Sequence, residues 1–207
     1  MKYLFLSQAF YPAISMIFSE DKVHYSVMQY PDDESPNNLL YITKVMFDVL
    51  KVDKREIEGI CVVYGPGSFT GTRIGVVDAK ILAYSLGKPL FAINSLELIA
   101  QHVQGEVSAI LSASRNEYFE GTFMDGNRVS DDRIISKEEL LSIEHKVVSF
   151  EDISHLGLDD FEVVYPMEKI IMEVSLEKVR SNISVEDPLS LKPLYLRAED
   201  KLFRKMR

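Results

Sequence analysis

Apolar positions along the chain change period several times, and each change marks an element. Three short apolar runs, Tyr3–Ala9, Ala13–Glu20 and Lys22–Tyr30, read as strands, with Pro12 and the Glu20–Asp21 pair at their turns. "PDDESPNN" is a loop in which Asn37 or Asn38 can cap the next helix. In "LLYITKVMFDVLKV", Leu39, Ile42, Val45, Met46, Val49 and Leu50 recur at helical spacing. "GICVVYG" is an unbroken β-branched run of the kind that fills a central buried strand. A glycine-rich loop follows, then a helix over Gly71–Leu86 that Gly87 stops, with Pro89 just beyond. "PLFAIN" predicts a strand and "SLELIAQHV" a short helix capped by Ser95.

From Glu106 the pattern restarts. "VSAILSAS" is a strand, and "EYFEGTFMDGNRVS" a hairpin turning at Asp125-Gly126-Asn127. A helix at Lys137–Ser142, strands at Lys146–Phe150 and Glu162–Tyr165, and a helix at Met167–Asn182 complete it. Strand-rich starts followed by alternating helix and strand, given twice, predict two α/β halves around mixed sheets. The divisions expected are 1–105 for an N-terminal lobe, 106–189 for a C-terminal lobe and 190–207 for a basic tail.

The helix over Gly71–Leu86 carries more apolar surface than one sheet needs. At roughly 100° per residue, Gly75, Val76, Ala79, Leu82, Ala83 and Leu86 form one apolar face, and Ile74, Val77, Ile81 and Tyr84 a second. Arg73 and Lys80 lie along one seam between them, Asp78 and Ser85 along the other. A surface helix needs a single apolar face, so the second must be buried too, under another layer of this chain or under another protein. Arg73 sits in the first turn, where the helix dipole disfavours a cation. It therefore wants an anion, from a ligand or a partner carboxylate, or points into water.

The 207 residues are 46% apolar, enough for a sizeable core, and no apolar run is long enough to cross a bilayer. The opening twenty residues, interrupted by Gln8, Pro12 and Ser15 and without a small-residue cleavage site, read as strands rather than a signal peptide. A single cysteine, Cys61, excludes an internal disulfide and fits a reducing compartment, so a cytoplasmic location is expected. The net charge of −9 is uneven: −2 over 1–105, −11 over 106–189 and +4 over 190–207. Such an acidic body repels a phosphate backbone. Only the tail, with Lys201, Arg204, Lys205 and Arg207, offers candidate contacts to nucleic acid.

The glycine loop "YGPGSFTGTRIG" fits neither common phosphate-binding pattern. Gly67 and Gly71 enclose three residues, not four, and Thr72-Arg73 stands where a P-loop has Lys-Ser or Lys-Thr. Gly65, Gly67 and Gly71 are spaced one residue too long for a dinucleotide fingerprint. A mechanical role remains: Gly65 and Gly67 permit a tight exit from a buried strand, Pro66 stiffens it, and Ser68 or Thr70 caps the helix. His24, His102, His145 and His155 are scattered without metal-ligand spacing, and Cys61 lies within a strand, so no metal site, cofactor site or catalytic residue is expected.

"GPGSFTGTRIGVVDAKILAYSLGKPLFAINSLELIA" resembles the hallmark segment of the TsaB (YeaZ) family, with "SASRNEYF" and "PLYLR" as further matches. The resemblance implies the two-lobed α/β fold with mixed sheets of actin-like, ribonuclease H-like (ASKHA) ATPases. It also implies a non-catalytic subunit that docks on and activates a TsaD-like transferase in making the threonylcarbamoyladenosine beside the tRNA anticodon. A TsaE-like ATPase and tRNA, reached through the complex, are the further partners implied, with a homodimer in isolation and no membrane. The interface implied is the glycine-loop helix with its neighbour: Arg73, Ile74, Val77, Ile81 and Tyr84, joined by Leu39, Ile42 and Met46. Relatives carry Asp-Thr-Ser where this chain has Ser7, Gln8 and Ala9, and an Asp and an Arg where it has Ser112 and Ser114; Glu117 is retained. An alternative is a small-molecule kinase of the same fold, which would need acidic residues at those turns. Another is a glycoprotease-like enzyme, which would need a metal site.

Overall fold

The computed structural model describes residues 1–30 and 39–196. Strands β1 (Lys2–Ser7), β2 (Ala13–Phe18) and β3 (Val23–Gln29) form an antiparallel meander. Helix α1 (Leu39–Leu50) leads to β4 (Ile57–Gly65), parallel to β1. Helix α2 (Phe69–Leu86) returns the chain to β5 (Leu90–Asn94), parallel to β4, and α3 (Ser95–Ala100) follows directly. The sheet order is β3-β2-β1-β4-β5.

The second half repeats this plan. β6 (Glu106–Ser114) and β7 (Glu117–Met124) are antiparallel, and both β8 (Asn127–Arg128) and β9 (Arg133–Ser136) pair with β7. After α4 (Lys137–Leu141), β10 (Lys146–Ser149) lies parallel to β6 and β11 (Phe161–Val163) parallel to β10, before α5 (Glu168–Arg180). The order β11-β10-β6-β7-β8 mirrors the first sheet, with two mixed sheets as the doubled sequence pattern predicts.

Both faces of the first sheet are covered, which is why β1, β2 and β4 read as apolar throughout. Leu4, Leu6, Ile17, Ile60 and Val62 pack beneath α1 and α2. Tyr3, Phe5, Phe18, Cys61 and Val63 turn to the other face, into a core shared with α3, α5 and the second sheet. Leu96, Leu98, Ile99 and Ala100 of α3 are all buried there, as a helix without a polar stripe must be.

Local chemistry sets the ends of the elements. Ser68 caps α2, its Oγ accepting the Gly71 N–H at 3.2 Å, so the helix begins at Phe69, two residues before the expected Gly71. Gly87 closes it in the left-handed conformation at φ 61°. The cap of α3 is Asn94, not the expected Ser95. The Asn94 Oδ1 accepts the N–H groups of Leu96 at 2.8 Å and Glu97 at 3.2 Å, because it sits one residue further back in extended geometry. The β7–β8 hairpin turns through Asp125 and Gly126, both at positive φ. β9 is a strand that the sequence pattern does not announce. The expected caps Asn37 and Asn38 fall outside the described residues.

Candidate functional site

The glycine loop is shaped by close chain approach. A Cβ on Gly67 would overlap the Ala9 carbonyl oxygen, and one on Gly71 the Gln8 carbonyl oxygen. The Ser68 N–H donates to the Ala9 carbonyl at 2.7 Å. The backbone of Gln8 and Ala9 thus lies directly against the loop, and the Ala9 carbonyl takes up the Ser68 amide at the helix start. Gly65, at φ 119°, lets the segment after α5 come alongside: the Leu194 N–H donates to the Tyr64 carbonyl at 2.8 Å. Pro66 is buried, and Thr70 is exposed in the first turn while Ser68 does the capping. Ser7 and Gln8 are buried, the Ser7 hydroxyl without a hydrogen-bond partner among the described residues, while Ser112 and Ser114 are bonded to carboxylates. Ser112 gives its N–H and its hydroxyl to Glu151, at 2.9 and 2.5 Å, and the Ser114 hydroxyl donates to Glu117 at 2.7 Å.

The two apolar faces of α2 have different fates. Gly75, Val76, Ala79 and Ala83 are buried, with Leu82 and Leu86 partly so. The second face is open: Ile74 is 38% exposed, Val77 and Ile81 50% each, and Tyr84 68%. One seam between the faces is covered by the segment after α5, where Lys80 Nζ donates to the Leu191 carbonyl at 3.0 Å and Arg73 Nε to the Tyr195 hydroxyl at 2.6 Å. The other seam faces α1, where the Asp78 carboxylate accepts the Leu40 backbone N–H. Burial holds the Asp78 carboxyl above its usual range, with the Leu40 N–H pulling the other way.

Arg73 resolves its unfavourable place at a helix start through aromatic rings. Its guanidinium lies 3.7 Å from the Phe69 ring centroid and 5.4 Å from that of Tyr195. Two aromatic faces supply the negative electrostatic potential that an anion is expected to give. The side chain is exposed but fixed.

Helix α1 contributes to the open surface, though not with every residue expected. Leu39 and Met46 are buried against the first sheet rather than exposed on the helix surface. Ile42 is half-buried, and the exposed apolar side chains are Leu40, Tyr41, Val45 and Val49. The helix is apolar nearly all round, and periodicity alone does not say which side faces the sheet. A groove of about 510 Å³ runs between α1 and α2, floored by Phe47, Leu82 and Leu86 and edged by Lys44 and Lys54. The tail residues Lys201, Arg204, Lys205 and Arg207 lie outside the described residues.

The histidines are spent on structure. His102 bonds the Leu98 carbonyl through Nδ1 at 3.0 Å and accepts the Met167 N–H through Nε2 at 3.2 Å, and burial lowers its pKa. His24 and His145 bond Ser19 and Ser108, and His155 is exposed in a helical turn. Burial pushes the Cys61 thiol up to about 12. Among the described residues no three His, Cys, Asp or Glu side chains cluster as metal ligands do, and no helix is long and apolar enough to cross a membrane.

Residues 33–179 match the family model described as TsaD, tRNA N6-adenosine threonylcarbamoyltransferase. Among curated relatives, the TsaB tRNA threonylcarbamoyladenosine biosynthesis protein of Bacillus subtilis is 36% identical over 42% of this chain. The chain belongs to the TsaD-type family, as one of its TsaB/YeaZ members. A second relative described as TsaB, from Buchnera aphidicola, is 25% identical over 55% of this chain and 56% of its own length. The alignment spans 40% of the Bacillus TsaB and 39% of a Mycobacterium leprae protein that is 29% identical over 70% of this chain. Solved YeaZ structures share the fold. YeaZ from Pseudomonas aeruginosa superposes with a TM-score of 0.75 at 17% identity, covering 94% of this chain and 99% of its own. A P. aeruginosa protein described as similar to peptidase YeaZ reaches 0.78 at 18% identity, covering 95% and 99%. In this TsaB/YeaZ chain, Gly67 and Gly71 of the GPGSFTG loop are glycines because the Gln8–Ala9 backbone presses against them, and Gly65 because of its positive φ beside Leu194.

Proposed function

We propose that this chain is a TsaB-like, non-catalytic subunit that docks through α1 and α2 on a TsaD-type tRNA N6-adenosine threonylcarbamoyltransferase and activates it. The observation that carries the proposal is the open face of Ile74, Val77, Ile81 and Tyr84 on a helix whose other face is already in the core. Leu40 and Tyr41 of α1, which line the groove with Leu82 and Leu86 of α2, add exposed apolar side chains beside it for a partner's helices to cover, and Val45 and Val49 open beside Val27 of β3. Without that partner a second copy covers the same face, giving a homodimer. The kinase alternative would need acidic residues at the turn after β1, where Ser7, Gln8 and Ala9 supply none, and this argues against it.

A TsaE-like ATPase and tRNA join through the complex, in the cytoplasm. The basic tail adds to the tRNA surface, and neutralising Lys201, Arg204, Lys205 and Arg207 then flattens the salt dependence of tRNA binding by the complex. The lobes divide at 1–105 and 106–189, with docking assigned to the first.

The test is light scattering after size exclusion, with this chain alone and mixed with the TsaD-type protein of the same organism. Wild type forms a heterodimer, whereas Val77→Asp and Tyr84→Asp leave two separate folded proteins, because burying an unpaired carboxylate is costly. A heterodimer that survives both substitutions overturns the proposal.

A further inference from the structure

The groove between α1 and α2 is apolar at its floor and positively charged at its edge. Phe47, Leu82 and Leu86 make the floor, and among the described residues the only charged ones lining it are Lys44 of α1 and Lys54 of the helical turn before β4. Lys54 is held over that floor, its Nζ 5.8 Å from the centroid of the Phe47 ring. Thr43 and Ser85, also in the lining, give their hydroxyls to carbonyls of their own helices.

Basic residues along the adjoining segment 53–58 are neutralised, and these two are not. Lys2, Arg55 and Lys88 pair with Glu56, Asp53 and Glu58. Arg55 engages both carboxylate oxygens of Asp53, the acid next to Lys54 in the chain. Asp48, one turn beyond Lys44 on α1, is exposed, makes no ion pair with it and does not line the groove. Lys44 and Lys54 thus form no ion pair among the described residues, on a chain whose net charge is −9.

Covering this groove takes water from two ammonium groups, which is costly unless carboxylates replace it. We propose that the α1–α2 groove receives an apolar segment of the TsaD-type partner flanked by acidic residues. Its apolar side chains rest on Phe47, Leu82 and Leu86, and its carboxylates meet Lys44 and Lys54. The inference rests on the docking proposed above and names the chemistry of what docks. A second copy that docks by the same face brings the same two lysines, and like charges oppose it. A homodimer on this face therefore yields to the acidic partner.

Titration calorimetry of the full 207-residue chain with the TsaD-type protein of the same organism tests the proposal. Lys44→Gln with Lys54→Gln weakens the heterodimer about tenfold at low salt. That difference from wild type shrinks as the screening length falls from about 30 Å at about 0.01 M salt to about 3 Å at about 1 M. Lys44→Glu with Lys54→Glu weakens it more than about a hundredfold. Lys137→Glu with Lys169→Glu, the same change of net charge outside the groove, leaves it within about threefold. Both groove lysines are exposed, so the variants keep the circular dichroism and melting temperature of wild type. Carbodiimide coupling and mass spectrometry of the wild-type complex join Lys44 or Lys54 to an aspartate or glutamate of the partner. Wild-type affinity in the groove Lys→Glu pair, an equal loss in the control pair, coupling at neither lysine, or a groove pair that alters self-association and not the heterodimer each overturn the inference. In each of these cases docking itself stands if wild type binds and Val77→Asp does not, whereas a wild type that forms no heterodimer removes both.

Discussion

The carboxylate of Asp78, in the middle of α2, accepts the backbone N–H of Leu40 at the start of α1. The first turn of α1 contains no acidic residue of its own, so a side chain from the neighbouring helix satisfies one of its orphan amides. The same contact fixes how the two helices meet, and with it the shape of the surface that they present.

Asp78 makes stability depend on pH in a direction opposite to most carboxylates. Burial raises its folded-state pKa above 3.8, so the folded chain holds a proton that the unfolded chain has lost. Its contribution to stability is therefore fully present below pH 3.8 and is lost as pH rises through the folded pKa. Urea titrations across that window show Asp78→Asn losing less stability with rising pH than wild type does.

Substitutions on the two faces of α2 differ in what they cost the fold. Val77→Asp, on the open face, changes the unfolding free energy of the isolated chain by no more than about 0.5 kcal/mol. Ala79→Asp, on the buried face, forces a carboxylate into the core and costs more than about 3 kcal/mol. Denaturant midpoints of the two variants check the contrast.

Gly71 and Gly87 are glycines for different reasons and respond differently to alanine. At Gly71 the new methyl meets the rigid Gln8 carbonyl, and Gly71→Ala costs about 2–4 kcal/mol through a forced backbone shift. At Gly87 space is free and only the left-handed conformation resists, so Gly87→Ala costs about 1–2 kcal/mol. Thermal melts rank the two.

Glu120 is fully buried, paired with Arg133 at 2.7 Å and accepting the hydroxyls of Ser108 and Thr122. Arg133→Ala leaves that carboxylate without its cation and lowers stability by about 1–3 kcal/mol. The loss is held to that range because the Arg133 side chain is 58% exposed and water partly replaces it. Arg133→Ala with Glu120→Gln regains part of the loss, and chemical denaturation of both variants measures it.

Elements with a strong period are legible in the sequence. The β-branched run into Gly65, the two faces of α2 and the Asp125-Gly126 turn all follow from side-chain spacing, and the structure places them accordingly. Contacts between distant residues are not. By its position Arg73 asks for an anion, yet Tyr195, 122 positions away, and the nearby Phe69 satisfy it, and no local pattern encodes that pairing. Leu39 and Met46 belong to a helix apolar on nearly every side, so which residues face inward depends on the sheet beneath. Asn94 and Ser95 are both capable caps, and only the backbone angle at Asn94 decides between them. The backbone of Gln8 and Ala9 that presses on the glycine loop comes from beyond the end of another strand, so the glycines are visible in the sequence but their purpose is not.

The layer shared by α3, α5 and both sheets has a mechanical consequence. An enzyme that opens and shuts around a nucleotide needs a hinge with little grease across it, so that its parts can swing cheaply. Here Phe5, Phe18, Ile99, Ala109, Val148 and Ile171 are locked in one continuous interior. Swinging the halves apart would tear that interior and wet it, so the two sheets move as one body.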